Sequence, residues 1–136
     1  MSRSSRLLVA ALVVGGMFSV SGCSVAGTEL PEFQRAQADA DRITADSQGV
    51  DMVVDPDSTR FVGEVGTYGI YLARSDDGRS LCLVAVTLDD NVWKSTGCGG
   101  GNGVTIGMTD GTEIQAGPGA GVGDGSLSES VVVLND

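Results

Sequence analysis

From residue 50 onwards, apolar and polar residues alternate in short runs that are separated by glycine, aspartate and other turn-forming residues. Alternation with a period of two predicts half-buried β-strands, because successive side chains of a strand point to opposite faces. Seven strands are predicted on this basis: Arg60–Val65, Tyr68–Arg74, Leu81–Thr87, 91–96, 103–109, 112–116 and 130–134. Their connections are short, so neighbouring strands are expected to pair antiparallel. The sequence therefore predicts a mainly β domain over residues 50–136, an antiparallel meander curled into a small barrel or sandwich.

Two of the predicted turns have distinctive sequences. Residues 75–79 combine aspartates with a glycine and are expected to close a hairpin between the second and third strands. Asp110 and Gly111 lie between two alternating runs, an arrangement typical of a type I′ hairpin turn. Such a turn requires a positive φ at both central residues, which Asp and Gly tolerate.

The third predicted strand, Leu81–Thr87, is apolar at almost every position. Its alternation places Cys82 and Val84 on one face and Leu83 and Ala85 on the other. A strand that is apolar on both faces is expected to be covered on both sides. The sequence therefore predicts that this strand is central in its sheet.

Residues 23–49 differ from the β domain in composition. They are acidic and rich in Ala and Gln, and their large apolar residues are Leu30, Phe33 and Ile43, too few to close a core. The segment is therefore interpreted as a tether. Within it, residues 31–44 are compatible with a short helix, because a proline suits the first turn and apolar side chains recur near one face.

The first 22 residues have the pattern of a bacterial export signal. Arg3 and Arg6 precede an apolar run over residues 7–20, which is shorter than the roughly 20 residues that a membrane-spanning helix needs. Small residues follow, and then a cysteine. This segment is interpreted as a signal helix, with an uncleaved anchor helix or an ordinary secretory signal as the alternatives.

The sequence Val20-Ser21-Gly22-Cys23 resembles the lipobox of bacterial lipoprotein precursors, with Val20 where Leu is commonest. The resemblance implies cleavage between Gly22 and Cys23, and attachment of a diacylglyceryl group to the Cys23 thiol. It also implies an extracytoplasmic protein that is anchored in the cell membrane by lipid. Two acyl chains are needed for lasting attachment, because one chain binds only marginally.

The cysteine count agrees with lipidation. The chain has three cysteines, Cys23, Cys82 and Cys98, and lipidation of Cys23 leaves one pair in an oxidising compartment. A disulfide between Cys82 and Cys98 would enclose residues 83–97 and stabilise the fold by roughly 3 kcal/mol. Trp93 is expected to pack near it, the alternative being a surface Trp that stacks on a ligand. Two reduced thiols or a metal site are the other interpretations of the pair, although two cysteines without histidine are an incomplete zinc set.

The charge of the chain excludes one class of partner. The chain has 8 basic and 18 acidic residues, and loss of Arg3 and Arg6 with the leader leaves a net charge of −12. Such a charge repels nucleic acid and anionic headgroups. We therefore expect no nucleic-acid partner, and membrane attachment through the lipid on Cys23 instead of through basic residues.

Three further features of the sequence are candidates for a binding or catalytic site. Acidic residues occur in groups that are interpreted as turn formers in preference to a calcium site: Asp51, Asp55 and Asp57; Asp76 and Asp77; Asp89 and Asp90. The glycine-rich residues 97–103 and 117–125 are expected to form mobile loops at one end of the domain. The chain has no histidine, so a serine nucleophile would have to rely on a base such as Lys94.

These features favour a non-enzymatic module, without a cofactor or metal, that binds an envelope protein or wall component or supports the envelope. The alternative is a lipid-anchored hydrolase or metal-dependent enzyme of the cell envelope. The mature part, with Leu81-Cys82-Leu83-Val84, Trp93 and Gly97-Cys98-Gly99, resembles small uncharacterised lipoproteins of high-GC Gram-positive bacteria. That resemblance implies no particular activity.

Overall fold

The computed structural model describes residues 29–46, 53–101 and 103–136, which form two antiparallel four-stranded sheets. The strands of the first sheet are β1 (Arg60–Val65), β2 (Tyr68–Arg74), β3 (Leu81–Thr87) and β4 (Trp93–Gly99). Those of the second are β5 (Val104–Gly107), β6 (Glu113–Ala116), β7 (Ser126–Ser128) and β8 (Val131–Asn135). The predicted mainly β class and antiparallel pairing are confirmed.

The first sheet is a meander in the order β1-β2-β3-β4. Its first three strands begin and end at the predicted residues, whereas β4 begins two residues later and ends three residues later than predicted. The shift arises because the turn after β3 is longer than expected: the Thr87 amide donates to the Val92 carbonyl, and Asn91 has a φ of 51°. Residues 91 and 92 therefore belong to the turn and not to the strand.

The second sheet departs from a simple meander. Its order is β5-β6-β8-β7, so β6 pairs directly with β8 and the intervening β7 lies at the edge. β7 was not among the predicted strands, because three residues in a glycine-rich stretch are too few to show alternation. The other three strands are one to three residues shorter than predicted or begin one residue later.

One core joins the two sheets. Ile70, Leu72 and Leu83 of the first sheet pack with Ile114 and Val131 of the second, and all five are fully buried. The opposite face of the first sheet carries a second buried group: Val54, Ala73, Cys82, Val84 and Val86. β3 is thus covered on both faces, as predicted. In the described part of the chain the sheets remain separate, which is the arrangement of a sandwich and not of a closed barrel.

The hairpin turn between β5 and β6 differs from the predicted type I′ turn. Gly111 has a φ of 97°, but Asp110 does not have a positive φ. The Gly111 amide donates to the Met108 carbonyl, and the Asp110 carboxylate accepts from the Thr112 amide. These contacts are typical of a three-residue loop in which a single glycine adopts the left-handed conformation. The Asp110 side chain thus binds the backbone that follows it.

Residues 29–46, which we call the strap, contact both sheets. They contain one helical turn at Pro31–Gln34 and a 3₁₀ turn at Asp39–Asp41, so the predicted helix over residues 31–44 is wrong beyond its first turn. Arg35 is extended, with φ −92° and ψ 152°. Contacts made by the strap side chains with the β domain replace the local hydrogen bonds of a helix, as described below.

The predicted boundary of the tether and the predicted leader concern residues that lie outside the described ranges. The boundary near residue 50 falls within residues 47–52, and the signal segment, Gly22 and Cys23 fall within residues 1–28. These assignments stay predictions. In the ranges that the structure describes, none of the helices has the length and apolar character needed to cross a membrane.

The glycine-rich stretch at residues 97–103 is only partly a loop. Gly97 and Gly99 belong to β4, where a Cβ atom on Gly97 would lie 2.6 Å from Ile106 Cγ2. A Cβ atom on Gly99 would lie 2.3 Å from the Gly103 carbonyl oxygen. Both glycines therefore allow β4 to approach the second sheet closely, instead of providing mobility.

Candidate functional surface

Cys82 and Cys98 form a disulfide between β3 and β4. The two residues lie directly opposite each other in the register, so the bond links neighbouring strands. Cys82 is fully buried, whereas Cys98 is exposed on the edge strand. Trp93 packs against the buried group that contains Cys82, on the same face of the sheet. The predicted pairing is thus observed, and the side chain of Trp93 is half-buried as a packed aromatic.

A cleft of about 450 Å³ opens where the strap meets the loops at one end of the sandwich. The loops that border it are the β2–β3 hairpin, the connection between β4 and β5, and the turn after β6. The lining residues are Glu29, Leu30, Phe33, Arg74, Gly78, Arg79, Ser80, Leu81, Gly100, Gly101 and Pro118. The charged residues of this lining are thus two arginines and one glutamate. The lining therefore differs in charge from the chain as a whole, whose predicted mature form has a net charge of −12.

The aromatic ring of Phe33, which lines this cleft, lies close to two arginines. The Arg74 guanidinium lies 4.5 Å from the ring centroid, and the Arg60 guanidinium lies 6.0 Å from it. Arg74 also forms an ion pair with Glu29 at 3.0 Å. Cation–π contacts of this kind fix both the ring and the guanidinium groups. The strap thereby holds the wall of the cleft in place.

Arg60 is buried at the start of β1, with 7% of its surface exposed. Its guanidinium donates to the backbone carbonyls of Thr59 and Arg35, each at 2.9 Å. Its Nε atom has no hydrogen-bond partner among the described residues. Arg60 therefore connects the strap to β1 through the backbone of Arg35.

Two carboxylates of the strap bind the β domain. Glu32 accepts hydrogen bonds from Ser128 Oγ at 2.5 Å, Ser130 Oγ at 2.8 Å and the Ser130 amide at 3.0 Å. Burial raises the pKa of Glu32, but these hydrogen bonds outweigh burial and hold the pKa below its ordinary value. Glu32 thus fixes the first turn of the strap to the second sheet.

The second carboxylate, that of Asp41, accepts two hydrogen bonds from Arg35, at 2.5 and 2.7 Å. It also accepts from the backbone amides of Ala38 at 2.8 Å and Phe61 at 2.9 Å. The Arg35 guanidinium is the main reason that the pKa of Asp41 lies far below its usual range. Because Phe61 is in the edge strand β1, Asp41 binds an amide that has no neighbouring strand on that side.

A smaller pocket of about 320 Å³ lies on the outer face of the first sheet. It is lined by Arg42, Ile43, Thr44, Ala45, Val54, Pro56, Thr59 and Trp93. Ile43 and Ala45 pack against the buried group that contains Cys82 and Val84. The last part of the strap therefore covers this face of the first sheet.

The acidic groups of the sequence serve as turn formers where the structure describes them. Asp55 accepts from the Asp57 amide at 3.0 Å, and Asp77 accepts from Ser75 Oγ at 2.6 Å and from the Arg79 amide at 3.0 Å. The hydrogen bond from Ser75 is the main reason that the pKa of Asp77 is lowered. Within the described ranges no group of three or more acidic or cysteine residues is placed to hold a metal ion.

Lys94, the base considered for an enzymatic function, is exposed on β4. The cleft, by contrast, was not predicted from the sequence. Its lining comes from the strap and from three loops that are distant along the chain. The one sequence signal that points to it is the presence of Phe33 and Leu30 in an otherwise polar segment.

No family model, curated protein or solved structure matches this chain.

Proposed function

We propose that this protein is a lipoprotein, anchored in the cell membrane on its extracytoplasmic side by a diacylglyceryl group on Cys23. In this proposal the β-sandwich is a non-enzymatic module that binds or supports another component of the envelope. Residues 1–22 serve as the signal peptide and are removed between Gly22 and Cys23.

The observation that carries the proposal is the pairing of the cysteines. Cys82 and Cys98 form a disulfide, which fits an oxidising compartment and leaves Cys23 as the one cysteine outside the pair. That cysteine is the residue at which the lipobox-like sequence ends. The surface charge also supports a lipid anchor, because a chain with a net charge of −12 does not bind an anionic membrane by electrostatics alone.

The strap supports a module that stays close to its anchor. Leu30 is buried in the core, and Glu32 and Asp41 bind the two sheets. The first of these contacts, that of Leu30, is seven residues after Cys23 in the sequence. The sandwich would be held near the bilayer instead of on a long spacer.

Cys23→Ala tests the anchor directly. We expect the native protein in the membrane fraction, with an intact mass that corresponds to a chain beginning at Cys23 plus the lipid. If the Cys23→Ala variant stays in the membrane fraction, we expect it there only as an uncleaved precursor. Otherwise we expect a lipid-free chain that is released into the medium.

Cys98→Ser is the matched control, because it removes an exposed cysteine of the disulfide and leaves the lipobox-like sequence intact. It should still carry the lipid. A native protein without lipid on Cys23 would refute the proposal. Crosslinking in intact cells, followed by capture of the protein, would then identify the envelope component that contacts the module.

A further inference from the structure

We propose that the cleft between the strap and the loops receives the phosphate of a phospholipid headgroup, and that the sandwich stands on the bilayer with this end down. This inference rests on the proposed anchor at Cys23, since the anchor sets which end of the sandwich lies near the membrane.

The first argument is the length of chain between the anchor and the cleft. Glu29 lines the cleft and is six residues after Cys23. Six residues span at most about 22 Å when fully extended. The strap is then held by Leu30 in the core and by Glu32 on the second sheet. The cleft therefore cannot move far from the membrane surface while Cys23 is anchored.

The second argument is the position of the opposite end of the sandwich. That end is formed by the turns β1–β2, β3–β4 and β5–β6, where Tyr68 and the Asp110 carboxylate, from different sheets, interact. The seven-residue strands β2 and β3 separate it from the cleft by about 20 Å. An anchor beside the cleft therefore directs this end away from the bilayer.

The third argument is the distribution of charge between the two ends. At the distal end acidic residues outnumber basic ones, and the nearest basic residue is Lys94. The acidic residues around the distal turns are Asp46, Glu64, Asp89, Asp90, Asp110, Glu113 and Asp136. Four arginines lie towards the cleft, where acidic residues nevertheless outnumber them: Arg35, Arg60, Arg74 and Arg79. Both ends are thus net acidic, and the cleft is the end at which arginines offset part of the acidic charge.

The lining of the cleft fits a phospholipid headgroup. Arg79 is exposed, and Asp77 of the same hairpin interacts with it. Arg74 is paired with Glu29, so the charged residues of the lining itself sum to one positive charge. Leu30 and Phe33 provide apolar surface beside them. The volume of about 450 Å³ is within the range of about 300–1,000 Å³ that is usual for small-molecule sites. Arg79 is the group that would contact the phosphate.

The experiment uses the oxidised chain from Cys23 onwards, which contains every described residue, coupled through the Cys23 thiol to a maleimide lipid in vesicles. Two variants in a Trp93→Phe background carry the single tryptophan at matched exposed turn positions, Asp76→Trp beside the cleft and Asp89→Trp at the distal end. Each removes one carboxylate. Quenching of the tryptophan by a lipid with a headgroup quencher reports its distance from the membrane surface.

In vesicles that contain phosphatidylglycerol we expect quenching several-fold stronger for Asp76→Trp than for Asp89→Trp. Adding Arg79→Gln should weaken the quenching of Asp76→Trp, whereas Lys94→Gln should not. Equal quenching at the two positions, or no effect of Arg79→Gln, would overturn the proposal. The unsubstituted chain gives a second measurement: Trp93 follows the distal turn between β3 and β4, and strong quenching of it would also overturn the proposal.

Failure of this inference is distinguishable from failure of the proposed function. The vesicle measurement attaches the chain chemically, so its result does not depend on lipidation in the cell. The intact mass of the native protein tests lipidation alone.

Discussion

The carboxylate of Asp41 holds the strap on the edge of the sandwich, and Asp41→Asn is expected to release it. The side chain is 3% exposed and accepts four hydrogen bonds, two of them from the Arg35 guanidinium. Asn keeps one acceptor oxygen but presents an amide group to the cation. The Phe61 amide or the Ala38 amide then loses its acceptor.

The size of the effect follows from these contacts. A hydrogen bond to a charged group contributes about 1.5–3 kcal/mol, and an unpaired buried group costs about 1–3 kcal/mol. Arg35 is 47% exposed, so water compensates for part of the lost ion pair. We therefore expect Asp41→Asn to lower the free energy of unfolding by about 2–3 kcal/mol.

Urea unfolding measures the total effect, and hydrogen exchange at the Phe61 amide shows whether the strap opens locally or the whole domain unfolds. Asp39→Asn is the matched control, because Asp39 is an exposed residue of the same 3₁₀ turn. Surface substitutions of this kind usually change stability by less than about 0.5 kcal/mol. If the two variants had the same stability, the assignment of Asp41 as the main contact of the strap would be refuted.

The same carboxylate predicts a dependence on pH. The pKa of Asp41 is lowered in the folded chain, so its contribution is complete well above the ordinary Asp pKa of about 3.9 and is lost as the pH falls below it. Glu32 acts in the same direction. The wild type should therefore lose stability below about pH 4 more steeply than Asp41→Asn. If the free energies of unfolding of the two proteins, measured with urea, decreased by the same amount between pH 6 and pH 3, this expectation would be contradicted.

Three further substitutions test the fold. Cys98→Ser removes the disulfide while changing an exposed side chain, and it should cost roughly 3 kcal/mol in thermal or urea unfolding; stability equal to that of the oxidised wild type would contradict this. Leu83→Ala, at a fully buried position, should cost about 2–5 kcal/mol, whereas Leu134→Ala, at a position 47% exposed, should cost far less. Gly99→Ala should destabilise the protein, because its Cβ would lie 2.3 Å from a carbonyl oxygen, whereas Gly100→Ala meets no atom within 4 Å and should be tolerated. Similar unfolding midpoints within either pair would show that the packing described here is wrong.

The first sheet could be predicted from the sequence because its determinants are local. Alternation and turn residues define β1, β2 and β3 to the residue, since strand period and turn chemistry both act over a few neighbouring positions. The pairing of Cys82 with Cys98 followed from the number of cysteines and their expected compartment. The second sheet was predicted less well, because its strands are shorter and interrupted by glycine.

The strap and the cleft were decided by tertiary structure. Glu32 contacts Ser130, 98 residues later in the chain, and no local pattern encodes that contact. Intrinsic propensity favoured a helix over residues 31–44, but the Glu32 and Asp41 contacts with the sheets override it. The sequence by itself thus determined the strands and the cysteine pair. Only the packed chain decided where the polar N-terminal segment lies and what it encloses, because those contacts join residues that are distant in sequence.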